Sequence, residues 1–311
     1  MKGDYTVEAL SDLFICNSLN GYFSPFVDYV IKSLKEVNRF KTASNCMTAM
    51  VSFMLFLCGH DILIDKIDNI LMRKYENYLK TKGIVKNTIA CYMRVLRSVY
   101  NQAVKLGLAT QKKPFAGIFT RIDKTVKRAV NEAFIIQIKK LDLSAHKELS
   151  LARDLFMFSF YMRGIPFIDM ANLRKSSLKN GYITYSRSKT QQKLTVKLEA
   201  SMQDIIDRYE SVTIDDYLLP VYTNQNRDNV SQLRNHNNRL KRISEMLGLE
   251  KPLSSYVARH SWATLALHKG IPVEVISESM GHENETTTRI YLASLDQSVV
   301  DEANAKIIRL E

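Results

Sequence analysis

The side chains best suited to chemistry on an anion are concentrated between residues 253 and 292. They are Tyr256, Arg259, His260, His282 and Tyr291. A phenol can act as a nucleophile, an imidazole can share a proton, and a guanidinium can bind two oxygens of one anion. Tyr256 and Arg259 are three residues apart on a predicted helix, so both can face one target. Gly281 ends the next predicted helix and leaves His282 at the break.

Other chemistries have little support in the sequence. The chain has no G-x-x-x-x-G-K-[ST] loop and no H-E-x-x-H motif, and no paired carboxylates at helical spacing indicate a two-metal nuclease. His236, between Asn and Arg, is predicted to lie on the surface. The four cysteines are scattered without a C-x-x-C pair, which disfavours zinc and fits a reducing cytoplasm. We therefore expect no metal and no cofactor.

Three groups follow one another in a fixed order: Tyr256-x-x-Arg259-His260, Met280-Gly281-His282, and Tyr291 nine residues after His282. This order resembles the tyrosine recombinase (phage integrase) family, in which His-x-x-Arg-His precedes Leu-Gly-His and then the nucleophilic tyrosine. The resemblance runs without gaps from residue 253 to residue 291. Upstream, Lys189-Thr190 lies in a predicted hairpin turn, where the family places a catalytic lysine.

The sequence departs from the family pattern at two positions. Tyr256 stands where the family usually has its first histidine, and a phenol with a reference pKa of about 10 cannot act as a base near neutral pH. Pro166 stands where the first catalytic arginine is expected, with Arg163 three residues upstream and Asp169 at the acidic position. The R-G-x-P-F-x-D form resembles a branch found in mobile-element integrases and DNA invertases. Arg163 therefore either supplies the missing guanidinium or is structural. In the second case the site lacks the first of its two phosphate-binding arginines.

The resemblance implies a role for each residue of the candidate site. Tyr291 would join the DNA through a 3′ phosphate, while Arg259 and Arg163 would bind the phosphate oxygens. Lys189 would protonate the leaving 5′ oxygen, and His282 would hydrogen-bond a phosphate oxygen. Tyr256 would complete the site as a hydrogen-bond donor. His260 and Asp169 are expected to support the site without direct chemistry.

The elements that must position these residues are mainly helical. Four helices are predicted in the first part of the chain. The first begins at Ser24-Pro25, with Ser24 as its cap and Pro25 as its first helical residue. The others cover residues 42–58, residues 68–80 and a segment that begins at residue 87. The apolar run 49–58 is shorter than the ~18 residues that span a membrane and is read as a buried helix. Further helices are predicted at 131–141, 148–163, 200–210, 231–247, 255–268, 272–279 and 284–293, and strands at 182–187 and 193–198. The tail could form a last helix.

This pattern predicts a mainly α fold with a small antiparallel β-sheet in its second part. We expect an N-terminal arm (1–23), a four-helix DNA domain (24–109), a connector (110–130) and a mostly helical catalytic domain (131–311). By resemblance, the four-helix part is a core-binding (SAM-like) domain, and the two domains would close on DNA as a C-shaped clamp. The basic connector is either an ordinary solvated run or a strap along DNA.

The net charge of +12 fits either an anionic partner or simply a soluble basic protein. Bases exceed acids both before and after residue 118, as expected if both parts lie against one polyanion. By the resemblance, double-stranded DNA is the expected partner, with a salt-sensitive affinity. The candidate DNA contacts are Lys86, Arg94, Arg97, Lys127 and Arg187.

The expected function is site-specific DNA recombination without metal or ATP, in the cytoplasm and without a membrane. Integration or excision of a mobile element and DNA inversion are the expected events, with a slight preference for a simple recombinase or invertase. Four protomers are expected on two DNA sites, each monomeric in free solution. Two alternatives remain, namely a type IB topoisomerase-like relaxase and a catalytically impaired DNA-binding regulator.

Overall fold

The computed structural model describes residues 20–121, 123, 129–224, 226–282 and 284–291, and only the backbone of Thr287, Ile290 and Tyr291. The chain divides into two compact units, Met1–Thr125 and Val126–Glu311. The division falls inside the predicted connector. Of the predicted arm only residues 20–23 are described, and the predicted tail helix lies outside the described residues.

Apart from one isolated bridge between Tyr22 and Leu63, the regular elements in the described part of the first unit are helices. Its helices are α1 (Phe23–Glu36), α2 (Phe40–Phe56), α3 (Asn69–Thr81) and α4 (Lys86–Lys105), with a 3₁₀ turn at Ile64–Lys66. The core is aromatic: the Phe53 ring meets Phe23 at 5.1 Å and Tyr75 at 5.0 Å, both edge to face. The predicted four-helix part is therefore confirmed.

Two local predictions in the first unit are wrong. Helix α1 begins at Phe23, and the backbone N–H of Ser24 donates to Asp61 Oδ1 at 3.1 Å, so Ser24 is inside the helix and does not cap it. The apolar helix is buried on one side only, since Val51 and Leu55 are exposed. Apolar composition alone does not reveal which face of a helix meets a neighbour.

The first half of the predicted connector belongs to the first unit. The Tyr100 hydroxyl donates to the carbonyl of Thr110 at 2.6 Å, and Phe115 and Ile118 are buried in the core of this unit. Arg94 Nη1 donates to the carbonyl of Thr120 at 2.9 Å. Residues 110–120 are thus bound to the helices of the first unit, and the division after Thr125 falls in the second half of the predicted connector.

The second unit is mostly helical with one small sheet. Its helices are α5 (Glu132–Lys140), α6 (Lys147–Tyr161), α7 (Phe167–Ala171), α8 (Ala200–Tyr209), α9 (Asn229–Met246), α10 (Ser255–His268), α11 (Val273–Ser279) and α12 (Glu285–Tyr291), with 3₁₀ turns at Lys175–Ser177 and Glu210–Val212. The strands β1 (Leu178–Lys179), β2 (Tyr182–Ser186) and β3 (Lys193–Lys197) form an antiparallel sheet in that order. The predicted hairpin is confirmed, while α7 and β1 were not predicted.

The core of the second unit surrounds α6, which buries Leu155, Phe156 and Phe158. His236 on α9 is also buried, with 3 % exposure, and its ring stacks on Phe167 at 5.0 Å between centroids. Its predicted surface position is wrong, because one histidine on the inner face of a polar helix looks like its exposed neighbours in sequence. Burial lowers the pKa of His236 to about 3, so the ring is neutral.

No helix among the described residues has both the length and the apolar character to cross a bilayer.

Candidate active site

The end of α6 is shaped by two residues with left-handed backbone. Arg163 has φ 57° and Gly164 has φ 74°, and the Gly164 N–H donates to the carbonyl of Ser159 at 2.8 Å. An arginine rarely adopts this conformation, which costs on the order of 1 kcal/mol. Pro166 then precedes α7 with φ −60°. The unusual backbone fixes where the half-buried Arg163 side chain leaves the chain.

Arg259 is the charged group most deeply enclosed in the site, with 2 % exposure. Its Nη1 donates to the Gly164 carbonyl and its Nη2 to the Met280 carbonyl, both at 2.7 Å. A Cβ on Gly164 would lie 2.6 Å from the Arg259 Cα, so the close approach requires glycine there. The guanidinium on α10 is therefore held between the end of α6 and the end of α11.

His282 lies beside this guanidinium. Its Nε2 is 2.8 Å from Arg259 Nη2, and its Nδ1 is 2.8 Å from Thr288 Oγ1. Because a guanidinium can only donate, Nε2 accepts, and Nδ1 carries the proton and donates to Thr288. Burial, with the charges of Arg259, Arg187 and Lys189, lowers the pKa of His282 to about 4. The site thus contains a neutral imidazole of defined tautomer.

Lys189 is exposed at the tip of the β2–β3 turn. The turn is held by Asp169, which is buried on α7 and accepts from the Ser188 N–H at 2.9 Å and the Ser188 hydroxyl at 2.6 Å. The sequence assigned Asp169 a supporting role, which stays a prediction; in the structure its carboxylate holds the turn through Ser188. The lysine side chain is open to a substrate, while the backbone beside it is fixed.

Arg187 does not fit its prediction as a surface DNA contact. The residue is 8 % exposed, and its Nη1 donates to the carbonyls of Met280 at 3.1 Å and Gly281 at 2.8 Å. The sequence placed it at the end of a strand, and in the structure it directly follows β2. The sequence could not show that this side chain faces the segment before α12 instead of solvent.

Two residues of the site were not found from the sequence. Thr288 is fully buried and binds His282, although the Thr-rich segment before Tyr291 gave a signal for it. Tyr185 on β2 lies within electrostatic reach of Arg259, Asp169, Arg187 and Arg163. Burial, followed by the nearby Asp169 charge, raises the pKa of Tyr185 to about 12, although the three arginines oppose the shift.

The two predicted tyrosines of the site, Tyr256 and Tyr291, lie on different helices. Tyr256 is 47 % exposed and contacts the His260 ring at 5.1 Å, edge to face, whereas Arg259 on the same helix is buried. The expectation that Tyr256 and Arg259 share one target is therefore not supported by their burial. Tyr291 ends α12, one turn after Thr288, and its side chain lies outside the described residues.

The predicted DNA contacts of the first unit lie on α4. Lys86 and Arg97 are exposed, and Lys86 is 3.6 Å from Asp123. Arg94 is half-buried and bound to Thr120, as described above. Lys127 lies outside the described residues. Within the described part of the chain, no three His, Cys, Asp or Glu side chains are grouped to hold a metal ion.

The model of the Phage integrase family matches residues 135–298, and that of the Phage integrase SAM-like domain matches residues 22–122. The chain belongs to the phage integrase family. The resemblance drawn from Arg259, His282 and Tyr291 is therefore confirmed at the level of the family. The integrase-family fold, a SAM-like domain followed by a mostly helical catalytic domain, is confirmed as well.

Curated relatives carry recombinase names. The chain is 25% identical over 264 residues to a tyrosine recombinase of Pseudothermotoga lettingae, which spans 81% of this chain and 87% of that protein. It is 30% identical over 222 residues to tyrosine recombinase XerA of Thermococcus kodakarensis, which spans 70% and 74%. This integrase-family chain is accordingly a DNA-cleaving and rejoining enzyme of site-specific recombination, with DNA as its partner. The relaxase and regulator alternatives are not favoured.

Solved structures share the fold of this integrase. A lambda integrase dimer bound to a COC′ core site matches with a TM-score of 0.67 at 17% identity, covering 93% of this chain and 81% of that one. The Tn1549 transposon integrase in complex with transposon right end DNA matches with a TM-score of 0.68 at 17% identity, covering 92% and 99%. These similarities show the fold alone.

Proposed function

We propose that the chain cuts one DNA strand by attack of Tyr291 and holds the 3′ end as a phosphotyrosine ester. The observation that carries the proposal is the enclosure of Arg259, whose guanidinium is fixed by two carbonyls 2.7 Å away and lies 2.8 Å from His282. A cation held in advance stabilises the charge that develops on phosphate oxygens, which typically accounts for roughly 3–4 kcal/mol of the barrier. The arrangement therefore supports phosphoryl transfer.

The proton and bond changes in the proposed step balance. The phenol of Tyr291 gives its proton to water as its oxygen bonds to phosphorus, and the bond from phosphorus to the 5′ oxygen breaks. Lys189 gives a proton to that oxygen, which leaves as a hydroxyl. Because the phosphotyrosine is still an ester, a 5′ hydroxyl can attack it and rejoin the strand. We expect neither ATP nor a metal ion to be needed.

His282 must change its role when DNA binds. Its Nε2 accepts from Arg259 in this structure, but it would have to donate to a phosphate oxygen when DNA occupies the site. The hydroxyl of Thr288 can either accept from Nδ1 or donate to it, so the ring can move its proton from Nδ1 to Nε2 and keep this partner. Thr288 thus supports both tautomers of His282.

We also assign Arg163 as the guanidinium that replaces the arginine missing at Pro166. Two facts support this assignment: its left-handed backbone, and its place directly before Gly164, whose carbonyl binds Arg259. Tyr256 is proposed as a donor from the exposed face of α10. Membership of the R-G-x-P-F-x-D branch stays a prediction.

The wider biology of the enzyme is part of the same proposal. We propose that four copies act on two DNA sites, that free copies are monomers, and that the event is integration, excision or inversion of a DNA segment. Residues 24–109 and 131–311 would supply the two DNA-binding parts, with Lys86, Arg94, Arg97 and Lys127 on phosphates. The cytoplasm is the proposed compartment, in keeping with free thiols at Cys46, Cys58 and Cys91.

A nicked suicide duplex tests the chemistry, since loss of the short 5′ fragment traps the covalent adduct. We expect a protein–DNA adduct in EDTA with the natural chain and none with Tyr291→Phe, while both bind DNA equally. An adduct formed by the phenylalanine variant would contradict the assignment. Strand exchange between two duplexes, with the mass of the complex measured by light scattering, tests the tetramer and separates recombination from relaxation.

A further inference from the structure

Arg187 joins two parts of the site that come from different elements. It follows β2 directly, at the start of the turn that carries Lys189, yet its Nη1 donates to the carbonyls of Met280 and Gly281 on the segment that precedes α12. The Met280 carbonyl also accepts from Arg259 Nη2 at 2.7 Å. One backbone oxygen therefore binds the arginine of the hairpin and the arginine proposed to hold phosphate.

A buried acid completes the attachment of the turn. Asp169 Oδ2 lies 3.9 Å from Arg187 Nε, an ion pair without a hydrogen bond, while its Oδ1 accepts both the N–H and the hydroxyl of Ser188. Ser188 directly precedes Lys189. A buried charge pair of this kind is costly to break, because removal of one partner leaves the other without compensation.

The contact between the two segments is also tight. A Cβ on Gly281 would lie 2.9 Å from Arg187 Cδ, 2.9 Å from Leu194 Cδ1 and 3.1 Å from Gln192 Oε1. The hairpin therefore packs directly on the backbone at Gly281, the residue before His282. A shift of the hairpin relative to this segment would move Lys189 relative to His282 and Arg259.

We propose that Arg187 is a positioning residue for proton transfer. It fastens the lysine hairpin to the segment Met280–Gly281–His282, so that Lys189 and the phosphate-binding pair Arg259 and His282 keep one fixed spacing. The inference rests on the proposed role of Lys189 as the acid for the leaving oxygen. It replaces the expectation that Arg187 is a surface contact to DNA.

The test uses two suicide duplexes that differ in one atom, the bridging 5′ oxygen or a sulfur in its place. A thiol is a far stronger acid than an alcohol, so the sulfur leaves without a proton. Arg187→Gln should slow cleavage of the oxygen duplex about 100-fold, the size typical of a misplacement of about 1 Å. It should cleave the sulfur duplex within a few-fold of the natural chain, with unchanged DNA affinity.

Two comparison variants separate this inference from the function on which it rests. Lys189→Met should be slow on oxygen and restored on sulfur, and failure of that rescue would refute Lys189 as the acid. Arg259→Gln should be slow on both duplexes. If Lys189→Met is rescued and Arg187→Gln is not, or if Arg187→Gln weakens DNA binding, only the positioning role is overturned.

A conservative variant covers the case in which Arg187→Gln fails to fold. Arg187→Lys keeps the charge beside Asp169 but has no fork that can reach two carbonyls and the carboxylate together. We expect a smaller loss on the oxygen duplex and full activity on the sulfur duplex. Equal slowing on both duplexes would overturn the proposal.

Discussion

The carbonyl oxygen of Gly164 accepts a hydrogen bond from Arg259 Nη1 at 2.7 Å, and the same glycine leaves no room for a side chain against the Arg259 backbone. The turn after α6 and the helix α10 therefore fix each other. The residue on one side of this contact is Arg163, so the contact sets the positions of both proposed phosphate-binding arginines. Its disruption should affect both catalysis and stability, because the clash is with a buried backbone atom.

Gly164→Ala tests the close approach. The new methyl group would lie 2.6 Å from the Arg259 Cα, so the guanidinium must shift, and we expect suicide-duplex cleavage to fall about 100-fold. Gly270→Ala is the matched control, because its φ of 76° resembles the 74° of Gly164 but no atom lies within 4 Å of its Cβ. The control should lose about 1 kcal/mol of stability and no activity. Equal activity of the two variants would contradict this interpretation.

Arg163→Gly distinguishes a role of the Arg163 side chain in phosphate binding from a role of its backbone in the fold. Glycine adopts the left-handed conformation of residue 163 without strain, so the free energy of unfolding should stay the same or rise by up to about 1 kcal/mol. Loss of a phosphate-binding guanidinium should reduce cleavage by a factor on the order of 10² to 10³. Chemical denaturation and the rate of adduct formation measure the two effects. Undiminished cleavage would show that Arg163 is structural.

Thr288→Val and Thr288→Ser form a pair that tests the support of His282. Valine keeps the volume but leaves Nδ1–H without its partner in a buried position, whereas serine keeps the hydroxyl. We expect the valine variant to lose roughly 1–2 kcal/mol of stability and to cleave more slowly. The serine variant should retain most of its activity. A valine variant as active as the serine variant would remove Thr288 from the site.

Asp154→Ala probes a buried network remote from the proposed chemistry. The carboxylate binds Arg153 Nε at 2.8 Å, Arg208 Nη1 at 2.6 Å and the Tyr209 hydroxyl at 2.8 Å, which ties α6 to α8. Its loss should reduce the free energy of unfolding by roughly 1–3 kcal/mol, because the acid is buried and Arg153 is nearly so, while Arg208 is half exposed.

The matched control for that network is an exposed pair. Glu245 lies 3.9 Å from Lys241, with both side chains more than 60% open to solvent. Glu245→Ala should change stability by less than about 0.5 kcal/mol, because exposed pairs contribute little. Urea titration of both variants gives the comparison. A similar loss in both would contradict a special role for the buried acid.

The pH dependence of stability should report His236. Its folded pKa of about 3 is below the value of about 6.5 in the unfolded chain, so the unfolded state binds more protons between these values. The free energy of unfolding therefore falls as the pH decreases from 6.5, by up to about 1.4 kcal/mol per unit for this group. His282, with its pKa of about 4, acts in the same direction.

His236→Phe should make that decrease shallower. Phenylalanine retains a ring against Phe167 but takes up no proton, so the difference in unfolding free energy between pH 6.5 and pH 4.5 should shrink. Equilibrium unfolding at the two pH values measures it. An unchanged slope would mean that the buried ring carries no pH dependence.

The sequence alone was sufficient to predict most helices and strands of this protein and its family. Helical periodicity and the alternating strands at 182–187 and 193–198 predicted the elements, because each depends on which side of one local segment is apolar. The spacing of Arg259, His282 and Tyr291 indicated the family, because those three positions lie on consecutive elements near one another in the chain. Local pattern and short-range spacing were sufficient for both.

Only the tertiary structure decided which side chains face the site. His236 and Arg187 looked like surface residues, yet one is stacked on Phe167 and the other bonds to carbonyls about ninety residues away in the chain. Likewise, only tertiary contacts place Thr288 and Tyr185 at the site. Burial and partner choice depend on contacts between segments distant in sequence, and a residue's type and its neighbours along the chain do not contain that information.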